Sequence, residues 1–282
     1  NKLIVNDIHA QLNQTQVAEI LLTRTLRNIQ TKVAAAARSG RSVAIAGGRH
    51  AMGGQQFGDS AILIDTRPLD RILAFDRHAG LLTIEGGIQW PAVVDYLWRV
   101  QKSDARPWAI AQKQTGADRL SIGGAVSANV HGRGLTMAPF FNDVESLTII
   151  DASGQVRHLS RSREPELFRL VIGGYGLFGV IAQVTIRLQR RQKLVRSVTI
   201  RNVEGLMEAF EERIAGGSEY GDFQFSCDES SDDFLRRGVF SCYTPAPDDT
   251  PVPEGQRSLK AEDWERLLGW AHTDKSKAFG EI

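Results

Sequence analysis

An α+β fold follows from three features of the sequence. Short β-branched runs such as "SVAIAG" (42–47) and "AILIDT" (61–66) read as strands, apolar positions at helical spacing lie between such runs, and three glycine clusters punctuate the alternation. The 282 residues are 42% hydrophobic and 24% charged, enough to bury a sizeable core in one large domain or two. Lys and Arg number 34 against 33 Asp and Glu, a net charge of +1 without a long basic block, so nucleic acid is not an expected partner. The apolar runs fall far short of the roughly 20 residues of a membrane span, and none is expected. The two cysteines, Cys227 and Cys242, have no metal-ligand spacing with a histidine and are too few for a disulfide framework. A reduced, cytoplasmic setting is the simplest reading, and no metal site is expected.

Taken in order, Ile29, Val33 and Ala36 recur at helical spacing, and Ser39-Gly40 stops that helix. A strand begins near Arg41 and runs into "AGGRHAMGGQQ" (46–56), and "AILIDT" follows as the next strand. Because those glycines join two strands, and do not open a helix, a Rossmann dinucleotide turn is excluded. "RILAFDRHAGLLTIEGG" (71–87) predicts two strands around the His78-Ala79-Gly80 turn, and "WPAVVDYLWRVQ" (90–101) an amphipathic helix with Pro91 in its first turn. Trp90, Trp98 and Trp108 are expected to pack helix against sheet. The second glycine cluster, "LSIGGAVSANVHGRG" (120–134), precedes strands in "VESLTIID" and "VRHLS" and a helix in "EPELFRLVIG". The third, "GGYGLFGVI" (173–181), feeds the strand "AQVTIRLQ". Composition shifts near residue 195. "VRSVTIR", "DFQFS" and "GVFSCY" predict an antiparallel sheet and "VEGLMEAFEERIAGG" a helix, followed by the loop "TPAPDDTPVPEGQ" and a terminal helix. Trp264, Leu267, Leu268 and Trp270 of that helix have no evident partners, and more chain is expected to follow.

Glycine permits positive φ and leaves no Cβ between backbone and ligand, so three ordered clusters point to amides wrapped around a phosphate or a flat ring. With these motifs the sequence resembles the FAD-binding flavoproteins of the vanillyl-alcohol oxidase type, the PCMH fold, over roughly residues 10–190. "SIGGAVSANVHGRG" and "GYGLFGVI" are most similar to the decaprenylphosphoryl-ribose oxidase branch. "AGGRHAMGGQQ" is similar to the histidine-bearing loop of aldonolactone, alditol and cytokinin oxidases. The resemblance implies a PCMH-type FAD-binding domain of two α+β subdomains over 1–194. Residues 195–282 would then be the first part of an α+β substrate domain with an antiparallel sheet.

The resemblance also implies a set of site residues. From the first motif these are Gly47, Gly48, Arg49, His50, Ala51, Met52, Gly53, Gly54 and Gln55. From the second they are Thr115, Ser121, Ile122, Gly123, Gly124, Ser127, Ala128, His131 and Gly132, and from the third Gly174, Gly176, Gly179, Val180 and Ile181. His50 matches the residue joined covalently to flavin in the histidine-bearing members, although Ala51 stands where they carry serine. A hydrogen bond from His50 to the pyrophosphate is the alternative. No cysteine between residues 1 and 226 offers a second link. His131 is implied near the flavin ring, and Arg49 and Arg133 are guanidinium groups within the motifs that could neutralise phosphate, with an exposed surface role the simpler reading for each. The resemblance implies oxidation of an alcohol carbon of a sugar, polyol or aldonolactone-like substrate, with oxygen or a carrier as electron acceptor. The alternatives are a reductase of the UDP-N-acetylenolpyruvylglucosamine type and a non-catalytic flavin-carrying subunit.

Overall fold

The computed structural model describes residues 3–116, 118–255 and 259–280. The last two residues of the terminal-helix segment and Gln256 of the preceding loop lie outside them. Among the described residues no helix is long and apolar enough to cross a membrane. The chain forms α-helices with predominantly antiparallel sheets and divides into two compact units, one of residues 1–132 and 138–191, the other of 133–137 and 192–282.

In the first unit β1 (Leu3–Val5) and β2 (Thr15–Val17) form an antiparallel pair. Next come β3 (Glu19–Leu22), α1 (Leu26–Arg38), β4 (Val43–Ala46) and β5 (Ile62–Asp65), a parallel sheet in the order β3-β5-β4. Thr25 caps α1, its Oγ1 accepting the Asn28 N–H at 3.3 Å, and Ile29, Val33 and Ala36 turn inward onto this sheet's core with Ile64. Burying Ile29 or Val33 contributes about 1.5–3 kcal/mol each. β5, "ILID", is buried at every position, as a central parallel strand covered on both faces must be.

A second, six-stranded antiparallel sheet holds the larger core. Its strands are β6 (Ile72–Asp76), β7 (Leu81–Glu85), β8 (Trp108–Ile110), β9 (Val144–Ile150), β10 (Val156–Ser160) and β11 (Val180–Arg190), in the order β10-β9-β11-β7-β6 with β8 also on β11. Helices α2 (Trp90–Val100), α3 (Ile122–Ser127) and α4 (Pro165–Val171) supply Trp90, Val93, Leu97, Ile122, Val126 and Phe168 to that core. Trp90 packs as expected, but Trp98 does not. It is 57% exposed with the Arg191 guanidinium 4.4 Å from its ring, because position 98 turns away from the Trp90, Val93 and Leu97 face. Trp108 lies on β8, donating from Nε1 to the Arg77 carbonyl at 2.7 Å under Arg190.

Asp143, at the entry to β9, is a half-buried carboxylate whose Oδ2 has no hydrogen-bond partner. Burial pushes its pKa up to about 6, against the Gln112 side chain and the Arg187 charge. A raised carboxyl pKa means that the folded state keeps a proton the unfolded chain has lost, so stability falls as pH rises from the ordinary carboxylate range to about 6. Asp143→Asn is therefore expected to be more stable than wild type by on the order of 1–3 kcal/mol at neutral pH, with the difference shrinking in acid. Urea midpoints of both proteins at acidic and neutral pH check this, and parallel pH dependences would contradict it.

The second unit is built on β12 (Lys193–Asn202), α5 (Leu206–Ala215), β13 (Tyr220–Phe225) and β14 (Arg237–Ala246), an antiparallel sheet in the order β12-β14-β13, followed by α6 (Ala261–Thr273) and α7 (Lys275–Gly280). Residues 133–137 join it, the Leu135 N–H donating to the Glu219 carbonyl at 2.9 Å and the Gly221 N–H to the Arg133 carbonyl at 2.9 Å. No pattern in the "HGRG" stretch announces this excursion. Arg133 pairs with Asp222 at 3.3 Å within the same unit.

Candidate FAD site

The loop 47–56 leaves β4 at the carboxyl end of the parallel sheet, where open sheets leave room for a ligand. Its root is pinned, since the Thr66 N–H (2.9 Å) and Oγ1 (3.1 Å) both donate to the Ala46 carbonyl. Arg49 then takes a left-handed φ of 60°, and its Nη2 donates to Asp65 Oδ2 at 3.1 Å. Asp65 is fully buried and also binds Arg67, whose Nη2 lies at 2.6 Å. This double ion pair fixes the turn that presents His50.

The second motif folds as α3, against which the first loop closes. A Cβ at Gly47 would stand 2.6 Å from Ser121 Oγ, and one at Gly48 would stand 2.6 Å from the Arg119 carbonyl. The third motif docks on the end of α3, the Tyr175 N–H donating to the Ser127 carbonyl and the Gly173 N–H to the Val126 carbonyl, both at 3.0 Å.

These three segments line one cavity of about 520 Å³, within the range of small-molecule and cofactor sites. Gly47, Gly48, Arg49, His50, Ala51, Met52 and Gln55 line it from the first motif, Ser121, Gly123, Gly124, Ser127 and Ala128 from the second, and Gly176, Gly179 and Ile181 from the third. Gln56, Leu120 and Tyr175, within the motifs but not among the expected residues, and His9, Ile45, Thr66 and Gly116, outside them, line it as well.

Several expected residues stand elsewhere. Ile122 and Val180 are buried in cores, and a Cβ at Gly174 would collide with the Leu170 carbonyl and the Phe178 ring. Gly53 and Gly54 shape the loop, Gly54 with φ 72° beside Asn13. Thr115 is outside the lining. The Gly132 N–H donates to Gln112 Oε1 at 3.1 Å, away from the cavity. His131 is also outside the lining. It is exposed, with Nδ1 on the Gly132 carbonyl at 2.9 Å, so its ring is engaged locally. The Ile122 and Gly123 N–H groups are committed to the Ile88 and Gly86 carbonyls.

His50 is the histidine the cavity contains from the motifs. Its Nδ1 lies 2.9 Å from His9 Nε2, and its Nε2 is buried without a hydrogen-bond partner. Burial, then the neighbouring His9 charge, holds its pKa below the ordinary imidazole value, against the opposing pull of the Arg119 carbonyl. Both influences favour the neutral imidazole.

The cavity also collects Arg49 Nε, Gln56 Oε1 and Ser121 Oγ, each buried and without a partner among the described residues. Buried polar atoms are rarely left so, and four around one cavity mark a place for a polar ligand. At Gly124, by contrast with Gly47 and Gly48, nothing lies within 4 Å of where a Cβ would stand.

Residues 18–160 match the FAD binding domain family. The chain belongs to that family. It carries a PCMH-type FAD-binding domain and is a flavoprotein with FAD as its cofactor. It is 31% identical to decaprenylphosphoryl-β-D-ribose oxidase of Mycolicibacterium smegmatis over 180 residues, 61% of this chain and 36% of that protein. It is 27% identical to L-gulono-1,4-lactone dehydrogenase of Mycobacterium tuberculosis over 237 residues, 84% of this chain and 49% of that protein. It is 30% identical to an uncharacterized oxidoreductase of the fasciation locus of Rhodococcoides fascians over 177 residues, 63% of this chain and 39% of that protein. The chain thus spans half or less of each of these relatives. The observed cavity fits FAD on its own terms, with orphaned polar atoms for a charged, many-oxygen ligand and an open backbone face at Gly124 for close approach.

Proposed function

We propose that this chain supplies the FAD-binding portion of an enzyme that oxidises an alcohol carbon of a sugar, polyol or aldonolactone-like substrate, with oxygen or a carrier as final electron acceptor. The observation that carries the reading is the meeting of three glycine segments around one cavity with four orphaned polar atoms. The names of the relatives, a ribose oxidase and a lactone dehydrogenase, support the substrate class. FAD, when bound, supplies a ring that accepts a hydride.

The protein's own part is to bind, orient and keep out water. Ser121 Oγ, Gln56 and Arg49 Nε are proposed to take the polar oxygens of the dinucleotide, and the exposed backbone at Gly124 to lie against it. Ile45, Leu120 and Ile181 give the cavity its apolar wall. His50 is proposed as the side chain that touches the flavin and carries a bond to it, as the histidine-bearing members do. We further propose that the parallel sheet and the six-stranded sheet are the two subdomains of the FAD-binding domain over 1–194, and that 195–282 is part of the substrate domain.

The test is the purified protein incubated with FAD, freed of excess cofactor and precipitated with acid. One flavin per chain, retained in the wild-type pellet and released from His50→Ala, is expected, together with reduction of a dye by an aldonolactone or polyol. No flavin uptake would overturn the proposal. Wild-type flavin released to the supernatant would remove the bond but not the site. Consumption of NADPH with no alcohol oxidation would favour the reductase reading.

A further inference from the structure

His9 has no place in any motif, yet two restraints bring it onto His50. The Asp7 carboxylate accepts the His9 N–H at 2.8 Å and the Gln11 N–H at 3.1 Å, which fixes the backbone on either side of the ring. The Ile8 N–H donates to the Arg49 carbonyl at 3.1 Å, which ties this turn to the residue before His50. The two imidazoles then meet with centroids 5.0 Å apart and planes at 54°, His9 exposed and His50 half-buried. Two ring nitrogens at 2.9 Å share one proton, so the tautomer of one ring dictates that of the other.

We infer that His9 is a positioning residue for His50, holding the cavity imidazole at Nδ1 and carrying that nitrogen's proton to and from solvent. Where it concerns flavin the inference rests on the proposed function, but the pair itself does not. Nε2 of His50 is buried on the side of the Arg119 carbonyl, so the route by which His50 exchanges a proton without opening the loop runs through Nδ1 and His9. The charged groups on the segments that hold the pair are Asp7 beside His9, Arg49 beside His50 with its partner Asp65, and Arg119, whose carbonyl lies near His50. Asp65 is shared between Arg49 and Arg67, and His9 is the imidazole in direct contact with His50.

The test is nitrogen-15 spectroscopy of the histidine rings in the full chain without FAD, through the imidazole titration range. In the wild type His50 is expected in a single tautomer. In His9→Ala, His50 should titrate at higher pH and show mixed tautomers, since the neighbouring imidazole that lowers its pKa is gone. His9→Gln, which hydrogen-bonds but carries no charge, should restore the single tautomer and leave the titration raised. A His50 titration and tautomer identical in wild type and His9→Ala would overturn the inference. FAD uptake by the same samples is scored separately by flavin absorbance. Its failure in the wild type counts against the proposed function and leaves the spectra to decide the pair.

Discussion

Asp65→Ala is expected to lose about 3–5 kcal/mol of folding stability, the range for breaking a buried ion pair from one side. Asp65 is fully buried and accepts from Arg49 at 3.1 Å and from Arg67 at 2.6, 2.9 and 3.1 Å. Removing the carboxylate leaves the Arg49 guanidinium, with 18% of its side chain exposed, without its counter-charge next to a cavity. Arg67 is nearly half exposed and recovers most of its solvation, so the larger share of the cost falls on Arg49. Because Arg49 sits at φ 60°, a conformation a non-glycine residue adopts only when held there, the loss should also release the turn that carries His50. Urea denaturation measures the first effect. Asp65→Asn, which keeps the shape and one acceptor but no charge, should fall between the two. Equal midpoints for wild type and Asp65→Ala would show that the ion pairs contribute little.

Gly124→Val is expected to leave the fold intact and to weaken FAD binding by about tenfold to a hundredfold, equivalent to the 1–3 kcal/mol cost of overfilling a packed site. Gly124 is exposed on the cavity side of α3, and a Cβ there meets no protein atom within 4 Å. The added methyls therefore occupy cavity space and create no clash with the protein. Gly47→Val provides the contrast, since its Cβ would stand 2.6 Å from Ser121 Oγ, and it should unfold at lower denaturant whether or not FAD is present. Circular dichroism and FAD titration of the two variants separate the effects. Full FAD affinity in a folded Gly124→Val protein would place the cofactor elsewhere.

The contrast between these glycines explains how much of the site was legible in the sequence. The first motif announced a close-approach loop, and it does line the cavity, but Gly47 and Gly48 are small because a neighbouring segment of protein lies against them. Gly174 is small because its own helix end and Phe178 do. Spacing reveals that backbone is approached closely, and it does not reveal by what. The strands and helices with period 2 or 3.6 were readable because their patterns are local, as in β11, α1 and α2. The second motif's short helix α3 was hidden by its glycines, which lower helix propensity while the core contacts of Ile122 and Val126 hold the turn. His9 was illegible for the same kind of reason. It meets His50 across 41 residues, by way of an Asp7 turn that has no recurring signature. His131, conspicuous in its motif, is bonded to its own neighbour. Tyr175 reaches the cavity through a left-handed φ of 50° that no propensity predicts for tyrosine.

The central claim is that FAD occupies the cavity walled by residues of 47–56, 120–128 and 175–181. Backbone hydrogen exchange of the whole chain, with and without saturating FAD, tests it most directly. Slowed exchange concentrated in those three segments and in the turn around His9, with β12 to α7 unchanged, is the predicted result. FAD that binds without protecting them, or that protects chiefly residues 192–280, would contradict the account.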